Sequence, residues 1–312
     1  MNFRQLRTLV HIGELGSLSK AADRLHVAQP ALSRQIRALE DEIGTPLFTR
    51  HGRGMVLTQT GELLVERANN ILRQIEEARA DAISSGGWVR GSVVIGMPPT
   101  VADILAGRLA KGFADQHPDV NLRFVSAFSS HLIEGLQKRN IDLAILYDPK
   151  SHGSLHIEPL LQEDLFLVAP GKAKLSLKKP ISFKDLAAET LLLPGGQHSI
   201  RQLVEHHARE AECELNVTLE ADSLSLLKNF VSLELGSTVL PLPSVYPEIE
   251  EGSLSAAPII DPSPTRTLVL ATATDRAVSN ATQRAVEMIK QEVGEMIAKN
   301  IWVGLPLQIA RH

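Results

Sequence analysis

"GSLSKAADRLHVAQPALSRQIRALEDEIG", from Gly16 to Gly44, decides the fold of the first part of the chain. Its apolar residues have helical spacing in two runs, separated only by a short turn at 26–28. Ser17 is placed to cap the first helix. Pro30 is tolerated in the first turn of the second helix, where backbone N–H groups have no intrahelical partners. The stretch therefore predicts two helices joined by a tight turn.

The second helix has an apolar side and a polar side. Its core candidates are Leu32, Ile36, Leu39 and Ile43. The polar side of its first two turns carries Gln29, Pro30, Ser33, Arg34 and Arg37. Further along the helix, Glu40 and Asp41 would repel phosphate. The part of this helix suited to nucleic acid is therefore its N-terminal end.

A short hairpin follows these helices, in "TPLFTRHGRGMVLT" from Thr45 to Thr58. Two β-prone runs flank the glycines of 51–54, which predicts a tip that presents arginine. On one interpretation Arg50 and Arg53 are merely solvated. After two closely spaced helices, however, the arrangement predicts a winged helix-turn-helix, in which the second helix enters the major groove of DNA.

A long helix is predicted next, from about Gly61 to Ser84, with Thr58 or Thr60 as its cap. Its apolar residues repeat every 3.5 positions, which is typical of a helix that pairs with another helix. We favour dimerisation over packing on its own domain. The seam consists of Leu64, Ala68, Ile71, Ile75, Ala78 and Ala82.

"SSGGWVRGS", from Ser84 to Ser92, is the clearest domain boundary. Beyond it, short apolar strands alternate with helices, which predicts parallel sheets covered by helices on both faces. The predicted strands are "SVVIGM", "VNLRFVSA", "IDLAILY", "STVLPLP" and "TLVLATA", and a final helix is predicted over 280–299.

Composition indicates a globular protein of two or three domains, because 312 residues are 44% hydrophobic and 22% charged. We find no membrane span and no export signal, and a single cysteine, Cys213, excludes an internal disulfide; a cytoplasmic location is expected. The net charge is −4, but residues 1–60 carry 8 basic and 5 acidic residues. This asymmetry allows a local DNA footprint on an acidic body.

At this point the sequence resembles the LysR-type transcriptional regulators over nearly its whole length. The resemblance rests on A-A-x-x-L, Q-P-A-L-S, I-x-x-L-E, L-F-x-R and L-T-x-x-G at these separations within residues 3–64. "GSVVIGM", "HPDVNLRF" and "NIDLAI" add weaker support. Ala28 departs from the pattern, because relatives often place Ser or Thr there to cap the recognition helix.

The resemblance implies an N-terminal winged helix-turn-helix, a long linker helix and a two-lobed α/β effector domain like periplasmic binding proteins. It also implies a homodimer, often a tetramer, bound to a partly palindromic promoter site, with RNA polymerase as a further partner. The expected limits are 1–60 for the DNA-binding domain, 61–85 for the linker, 86–91 for a hinge, 92–162 with 268–312 for lobe 1, and 163–267 for lobe 2.

On DNA, Gln29, Ser33 and Arg34 are the expected readers of base edges, with Pro30 in van der Waals contact. Arg37 and Arg50 are better suited to phosphate, which positions the protein without specifying sequence. Arg53 at the wing tip is a candidate for the minor groove. A solvated surface with no role in DNA binding is the alternative for each of these residues.

The effector site is expected beyond the strand ends, at helix N-termini that favour anions. Arg201 and His198 would suit a carboxylate or another small anion. Each candidate has the alternative of being only a cap or turn residue. The candidates are Pro99, Thr100, Ser129, Ser130, Tyr147, Gln197, His198 and Ser199.

We find no catalytic or metal-binding motif, and we expect no cofactor beyond the small effector. The adjacent His206 and His207 cannot share one helix face, and the sequence has no nucleophile elbow or phosphate-binding glycine loop. The alternative to a regulator is a solute-binding protein with a helical extension that does not bind DNA. The apolar tail "IWVGLPLQIARH" has no assigned role.

Overall fold

The computed structural model describes residues 1–51, 54–83, 89–147, 149 and 153–306. The chain divides into two compact units, Met1–Gly91 and Ser92–His312. None of the helices in these described ranges combines the length and the apolar character needed to cross a membrane.

In the first unit, three helices precede a two-stranded hairpin and a long helix. The Asn2 side chain accepts a hydrogen bond from the Gln5 N–H (3.1 Å), and Ser17 accepts one from the Lys20 N–H (3.4 Å). Ala28 gives the third helix no side-chain cap, as the sequence predicts. The elements are α1 (Phe3–Leu15), α2 (Leu18–Leu25), α3 (Gln29–Ile43), β1 (Phe48–His51), β2 (Gly54–Leu57) and α4 (Gln59–Ile83).

The core of this unit is formed by the apolar sides of α1, α2 and α3 together with the start of α4. Leu32, Ile36 and Leu39 are buried in it, at 3% exposure or less. Ile43 is 38% exposed, so its assignment to the core is wrong. The physical reason is that α3 ends at this residue, while the core lies against its earlier turns.

The beginning of α4 is fixed by a cap and by a close backbone approach. The Thr58 hydroxyl accepts a hydrogen bond from the Gly61 N–H (3.0 Å). A Cβ atom at Gly61 would lie 2.1 Å from the Leu47 carbonyl oxygen, which no side chain tolerates. The L-T-x-x-G motif is therefore explained by local packing of the helix start against the hairpin.

The apolar seam of α4 serves two purposes. Leu64 and Ala68 pack against the core of their own domain, so their assignment to a dimer seam needs correction. Ile71 and Ile75 are 38% and 44% exposed, and Ala78 is exposed as well. Only the second half of the seam is thus open to another helix.

The second unit contains the remaining helices and strands. It begins with the strand after the sequence boundary and ends with a short strand near the C-terminus. Its elements are β3 (Gly91–Met97), α5 (Pro99–Gln116), β4 (Val120–Ser126), α6 (Ser129–Gln137), β5 (Leu143–Tyr147), β6 (Leu155–Pro170), β7 (Ile181–Ser182), β8 (Thr190–Leu193), α7 (Ser199–Glu210), β9 (Asn216–Glu220), α8 (Leu224–Ser232), β10 (Thr238–Pro241), α9 (Tyr246–Glu250), β11 (Leu254–Ile260), β12 (Thr265–Ala273), α10 (Asn280–Ala298) and β13 (Gly304–Pro306).

The main sheet has the strand order β4-β3-β5-β12-β6-β11-β7, with β10 and β13 also paired to β6. β3 and β5 are parallel, but β12 is antiparallel to both β5 and β6. The prediction of purely parallel sheets is therefore wrong, and the sheet is mixed. An alternation of strands and helices in the sequence indicates parallel strands joined by helices. It does not show that β12, which enters from the other lobe, runs antiparallel to β5 and β6.

The strand β6 runs through both lobes of this unit. Its first part pairs with β12, and its last part pairs with β10 and β11. One apolar core, which includes Val94, Leu132 and Leu146, lies in lobe 1. Another, which includes Leu191 and Val204, lies in lobe 2. The two lobes are therefore built on one shared strand.

Candidate functional sites

The N-terminal part of α3 presents polar side chains to the surface. Gln29, Pro30, Arg34 and Arg37 are exposed, and Ser33 is half-buried. The Gln29 side-chain oxygen accepts a hydrogen bond from the Ser19 hydroxyl (3.2 Å). On the opposite side, Leu32 and its apolar neighbours attach the helix to the core. This arrangement leaves the side chains suited to base edges and phosphates on the solvent side.

Glu40 has a structural task that the sequence analysis did not anticipate. Its carboxylate accepts hydrogen bonds from the backbone N–H groups of Leu47 (2.8 Å) and Phe48 (3.3 Å). The acidic group thus fixes the chain between α3 and β1 and is not simply a surface charge that would repel phosphate. Asp41 remains exposed on the same helix.

The predicted wing is present as the antiparallel hairpin of β1 and β2. Arg50 lies in β1, and Arg53 at the predicted tip lies outside the described residues. The hairpin follows α3 directly, which is the order of elements in a winged helix-turn-helix.

In lobe 1 of the second unit, three predicted residues lie together where β5 ends. The hydroxyl groups of Thr100 and Tyr147 are 3.3 Å apart, and both side chains are buried. The Tyr147 backbone N–H donates to the Ser129 hydroxyl (3.3 Å). Thr100 lies in the first turn of α5, and Ser129 begins α6. Two helix starts and a strand end therefore converge.

Arg266 on β12 connects this group to lobe 2. Its guanidinium donates to the Tyr147 hydroxyl (2.9 Å) and to the Ser199 hydroxyl (3.3 Å). Its Cζ atom also lies 3.7 Å from the centre of the Tyr147 ring, a cation–π contact. Ser199 is the first residue of α7. We call Thr100, Ser129, Tyr147, His198, Ser199 and Arg266 the Tyr147–Arg266 cluster.

The charge of Arg266 is balanced by Glu163 of β6, its direct cross-strand partner. Arg266 is 2% exposed and Glu163 is fully buried. The other carboxylate oxygen of Glu163 accepts a hydrogen bond from the Trp302 indole N–H (2.9 Å). The cluster therefore rests on a buried ion pair, which is stable only when both charges are matched.

His198 caps α7 at the edge of this cluster. Its Nδ1 accepts a hydrogen bond from the Ile200 N–H (3.2 Å), so the other ring nitrogen carries the proton of the neutral form. Burial, and then the charge of Arg266, lower the pKa of His198 to about 4, although Asp222 acts in the opposite direction. Burial also raises the pKa of the Tyr147 hydroxyl. Both groups are thus neutral hydrogen-bonding groups near pH 7.

The remaining predicted effector residues are not brought into these contacts. Ser130 and Gln197 are exposed, and Pro99 begins α5 without a cap hydrogen bond. Arg201, offered as an anion ligand, pairs with Glu205 and with Glu220 (3.0 Å), so that role needs correction.

Sequence reasoning missed Arg266, Glu163 and Trp302. An arginine in the apolar strand "TRTLVLATA" was the available signal, because buried charges need partners. A buried arginine implies a buried carboxylate, but its position 103 residues away is set by strand register.

We expect His198 to make the stability of the protein depend on pH. Between its unfolded pKa of about 6.5 and its folded pKa of about 4, the unfolded chain binds a proton that the folded chain rejects. Stability should therefore fall as the pH drops from about 6.5 to 4, by up to about 1.4 kcal/mol per pH unit. Urea unfolding, followed through Trp302 emission in a Trp88→Phe background, measures this loss.

His198→Asn supplies the comparison, because asparagine keeps a capping acceptor but does not titrate here. Its stability should depend less on pH over this window than that of the parent protein. His131→Asn, the same exchange at an exposed position on α6, is the matched control. Equal slopes for the parent and His198→Asn would contradict the assignment.

Comparison with known proteins gives consistent matches over the chain. Residues 3–62 match the family described as "Bacterial regulatory helix-turn-helix protein, lysR family". Residues 86–294 match the "LysR substrate binding domain". Together the two matches span both units.

Three individual proteins illustrate the similarity. BbuR of Bordetella bronchiseptica, an HTH-type transcriptional regulator, is 33% identical over 86% of this chain and 82% of its own length. OxyR of Escherichia coli K12, a DNA-binding transcriptional dual regulator, is 32% identical over 86% and 88%. The hydrogen-peroxide-bound structure of a cysteine-to-serine mutant of Corynebacterium glutamicum OxyR is 25% identical, with a TM-score of 0.61 over 96% of this chain and 97% of that one.

Proposed function

Because the chain belongs to the LysR family of DNA-binding, effector-responsive transcriptional regulators, we propose that it reads promoter DNA with the start of α3 and senses its effector at the Tyr147–Arg266 cluster. The contacts within the cluster are the observation that supports effector sensing there. It joins three helix starts to a buried arginine, and hydrogen bonds from Arg266 reach both lobes.

The chemistry of the cluster favours a small, neutral, polar effector. Glu163 cancels the charge of Arg266, and Glu205 and Glu220 engage Arg201. His198 is neutral near pH 7. Of the two residues that suggested an anion, Arg201 is therefore paired and His198 is neutral, whereas hydroxyl, imidazole and guanidinium groups remain to hold a polar molecule. We therefore propose a neutral effector in place of the anion expected from sequence.

Hydrogen peroxide is the first molecule to test, because a related structure contains it. An intrachain disulfide cannot be the sensing step in this chain, because Cys213 is the only cysteine in the sequence. Cys213 is partly buried against the core of lobe 2. The first residue of α7, beside Arg266, is Ser199, which brings a hydroxyl and not a thiol to the cluster.

A gel shift and footprint on the DNA upstream of its own gene test the function directly. The full-length protein should shift this fragment and not a scrambled one. A panel of hydrogen peroxide, small carboxylates, amino acids and aromatic acids should contain a compound that changes the footprint or the DNA bend. If no specific shift occurs, the solute-binding alternative gains support. If DNA binds but no compound acts, the effector assignment loses support.

We propose that the protein acts in the cytoplasm as a homodimer or homotetramer and contacts RNA polymerase from its promoter site. It is a regulator by family, and we propose no enzymatic reaction for it. The open half of the α4 seam supports self-association, because Ile71 and Ile75 would be covered by a second copy.

Replacing Ile75 with aspartate should halve the oligomer mass. A carboxylate in an apolar helix pair would be desolvated without a partner, which opposes pairing. Light scattering after size exclusion measures the mass of the full chain. Glu76→Gln, one residue along on a charged side of α4, is the matched control and should keep the parent mass. An unchanged mass for Ile75→Asp would refute self-association through this part of α4.

A further inference from the structure

Residues 301–306, the described part of the C-terminal tail, return to the main sheet of the second unit. Trp302 is 1% exposed, and its backbone follows the end of α10. The strand β13 then pairs with β6, where Gly304 lies opposite Glu163. On its other side, Glu163 lies opposite Arg266 of β12. The tail thus reaches the strand position that carries the buried ion pair.

Gly304 makes this approach possible. Its φ is +157°, and a Cβ atom there would lie 2.1 Å from the Gln162 carbonyl oxygen. The Asp164 N–H donates to the Val303 carbonyl (3.2 Å) on the same edge. Only glycine allows the tail backbone to lie so close to β6, so the tail is held in a defined register beside Glu163.

The Glu163 carboxylate accepts from Arg266 and from Trp302, and it also lies within hydrogen-bonding reach of the Tyr147 hydroxyl. One oxygen accepts from Nη2 of Arg266, and the other accepts from the Trp302 indole N–H (2.9 Å). Arg266 Nε, although buried, has no hydrogen-bond partner among the described residues. An arginine and a carboxylate frequently form two parallel hydrogen bonds. Here the second oxygen accepts from Trp302, and Nε has no bond to it.

We propose that Trp302 is a positioning residue for the effector site. By donating to one Glu163 oxygen, Trp302 keeps the Glu163–Arg266 pair to a single hydrogen bond. The guanidinium then remains directed at the hydroxyls of Tyr147 and Ser199. Without the indole N–H, the Glu163 carboxylate turns toward Nε and forms two parallel hydrogen bonds with Arg266. The guanidinium then moves away from the hydroxyls of Tyr147 and Ser199. The importance of this geometry for sensing rests on the proposed function of the cluster.

The chain offers a selective readout, because it contains only two tyrosines, Tyr147 and Tyr246. In full-length protein labelled with 13C-tyrosine, the ring signals of Tyr147 report the position of the guanidinium that lies over its ring. Tyr246 in α9 is the internal reference. This measurement needs no effector, so its outcome is independent of whether the effector site is correctly assigned.

Trp302→Phe should shift the Tyr147 signals and leave those of Tyr246 in place. Trp88→Phe, the same exchange at the other tryptophan, is the reference against which the Trp302→Phe shift is measured. Glu163→Gln should also move the Tyr147 signals. Adding Trp302→Phe to Glu163→Gln should then produce less than the sum of the two single shifts, because both changes act through one carboxylate.

Two results would overturn the proposal: unshifted Tyr147 signals in folded Trp302→Phe, or a double variant whose shift equals the sum of the singles. If Trp302→Phe does not fold, tryptophan is replaced biosynthetically by benzothienylalanine, which keeps the ring shape but has sulfur in place of the N–H. Incorporation in the Trp88→Phe background confines this change to Trp302. The same shift is expected there, and its absence counts against the proposal.

Discussion

Glu163→Ala should lower the free energy of unfolding of the second unit by about 3–5 kcal/mol, the largest effect we expect from a single side chain. The change leaves Arg266 charged and 2% exposed without its counter-ion. It also removes the acceptor of the Trp302 indole N–H. Urea unfolding of the full chain, read through Trp302 emission in the Trp88→Phe background, measures the loss.

The paired variant Glu163→Met/Arg266→Met separates charge from packing. Replacing both partners leaves no unpaired buried charge, so this variant should be more stable than Glu163→Ala. It should nevertheless lose the effector response, because the donor to Tyr147 and Ser199 is gone. A double variant no more stable than the single one would show that the ion pair is not the origin of the loss.

Arg34→Ala should reduce binding to the cognate duplex by about 10-fold or more, while binding to a scrambled duplex changes much less. An arginine paired with guanine discriminates against a wrong base by about 1–3 kcal/mol, and Arg34 is exposed near the start of α3. Titration of labelled cognate and scrambled duplexes at one fixed salt concentration measures both affinities.

Arg37→Ala is the matched control on the same helix, one turn further along. As a phosphate contact it should weaken cognate and scrambled binding alike and reduce the salt dependence. Arg50→Ala on β1 is expected to behave in the same way. Equal losses on both duplexes for Arg34→Ala would refute its role as a base reader.

The DNA-binding part of the structure follows closely from local sequence patterns. Helical spacing gave α3 its apolar side, and Ala28 is indeed an uncapped start. These features depend on neighbours within a few residues, where spacing and capping rules apply directly. The role of Glu40 was missed because its partners, the N–H groups of Leu47 and Phe48, lie beyond the helix end.

The Tyr147–Arg266 cluster, our proposed effector site, was predicted only in part from the sequence, for a physical reason. Thr100, Ser129 and Ser199 begin or nearly begin helices, so topology alone places them near strand ends. Glu163 and Arg266 meet through the pairing of two strands about a hundred residues apart. Such a pairing depends on the register of the whole sheet, which no local pattern in these strands specifies.

The strand shared by the two lobes limits how the protein can transmit a signal. β6 is 16 residues long, about 53 Å at the usual rise, and hydrogen bonds to β10, β11, β12 and β13 hold it along its length. A lobe that moved relative to the other would have to bend β6 near residues 164–165, where the pairing with β12 ends and the pairing with β10 and β11 begins. We therefore expect effector binding to twist β6 slightly. Because the strand is long, a small twist at one end would produce a larger displacement at the other.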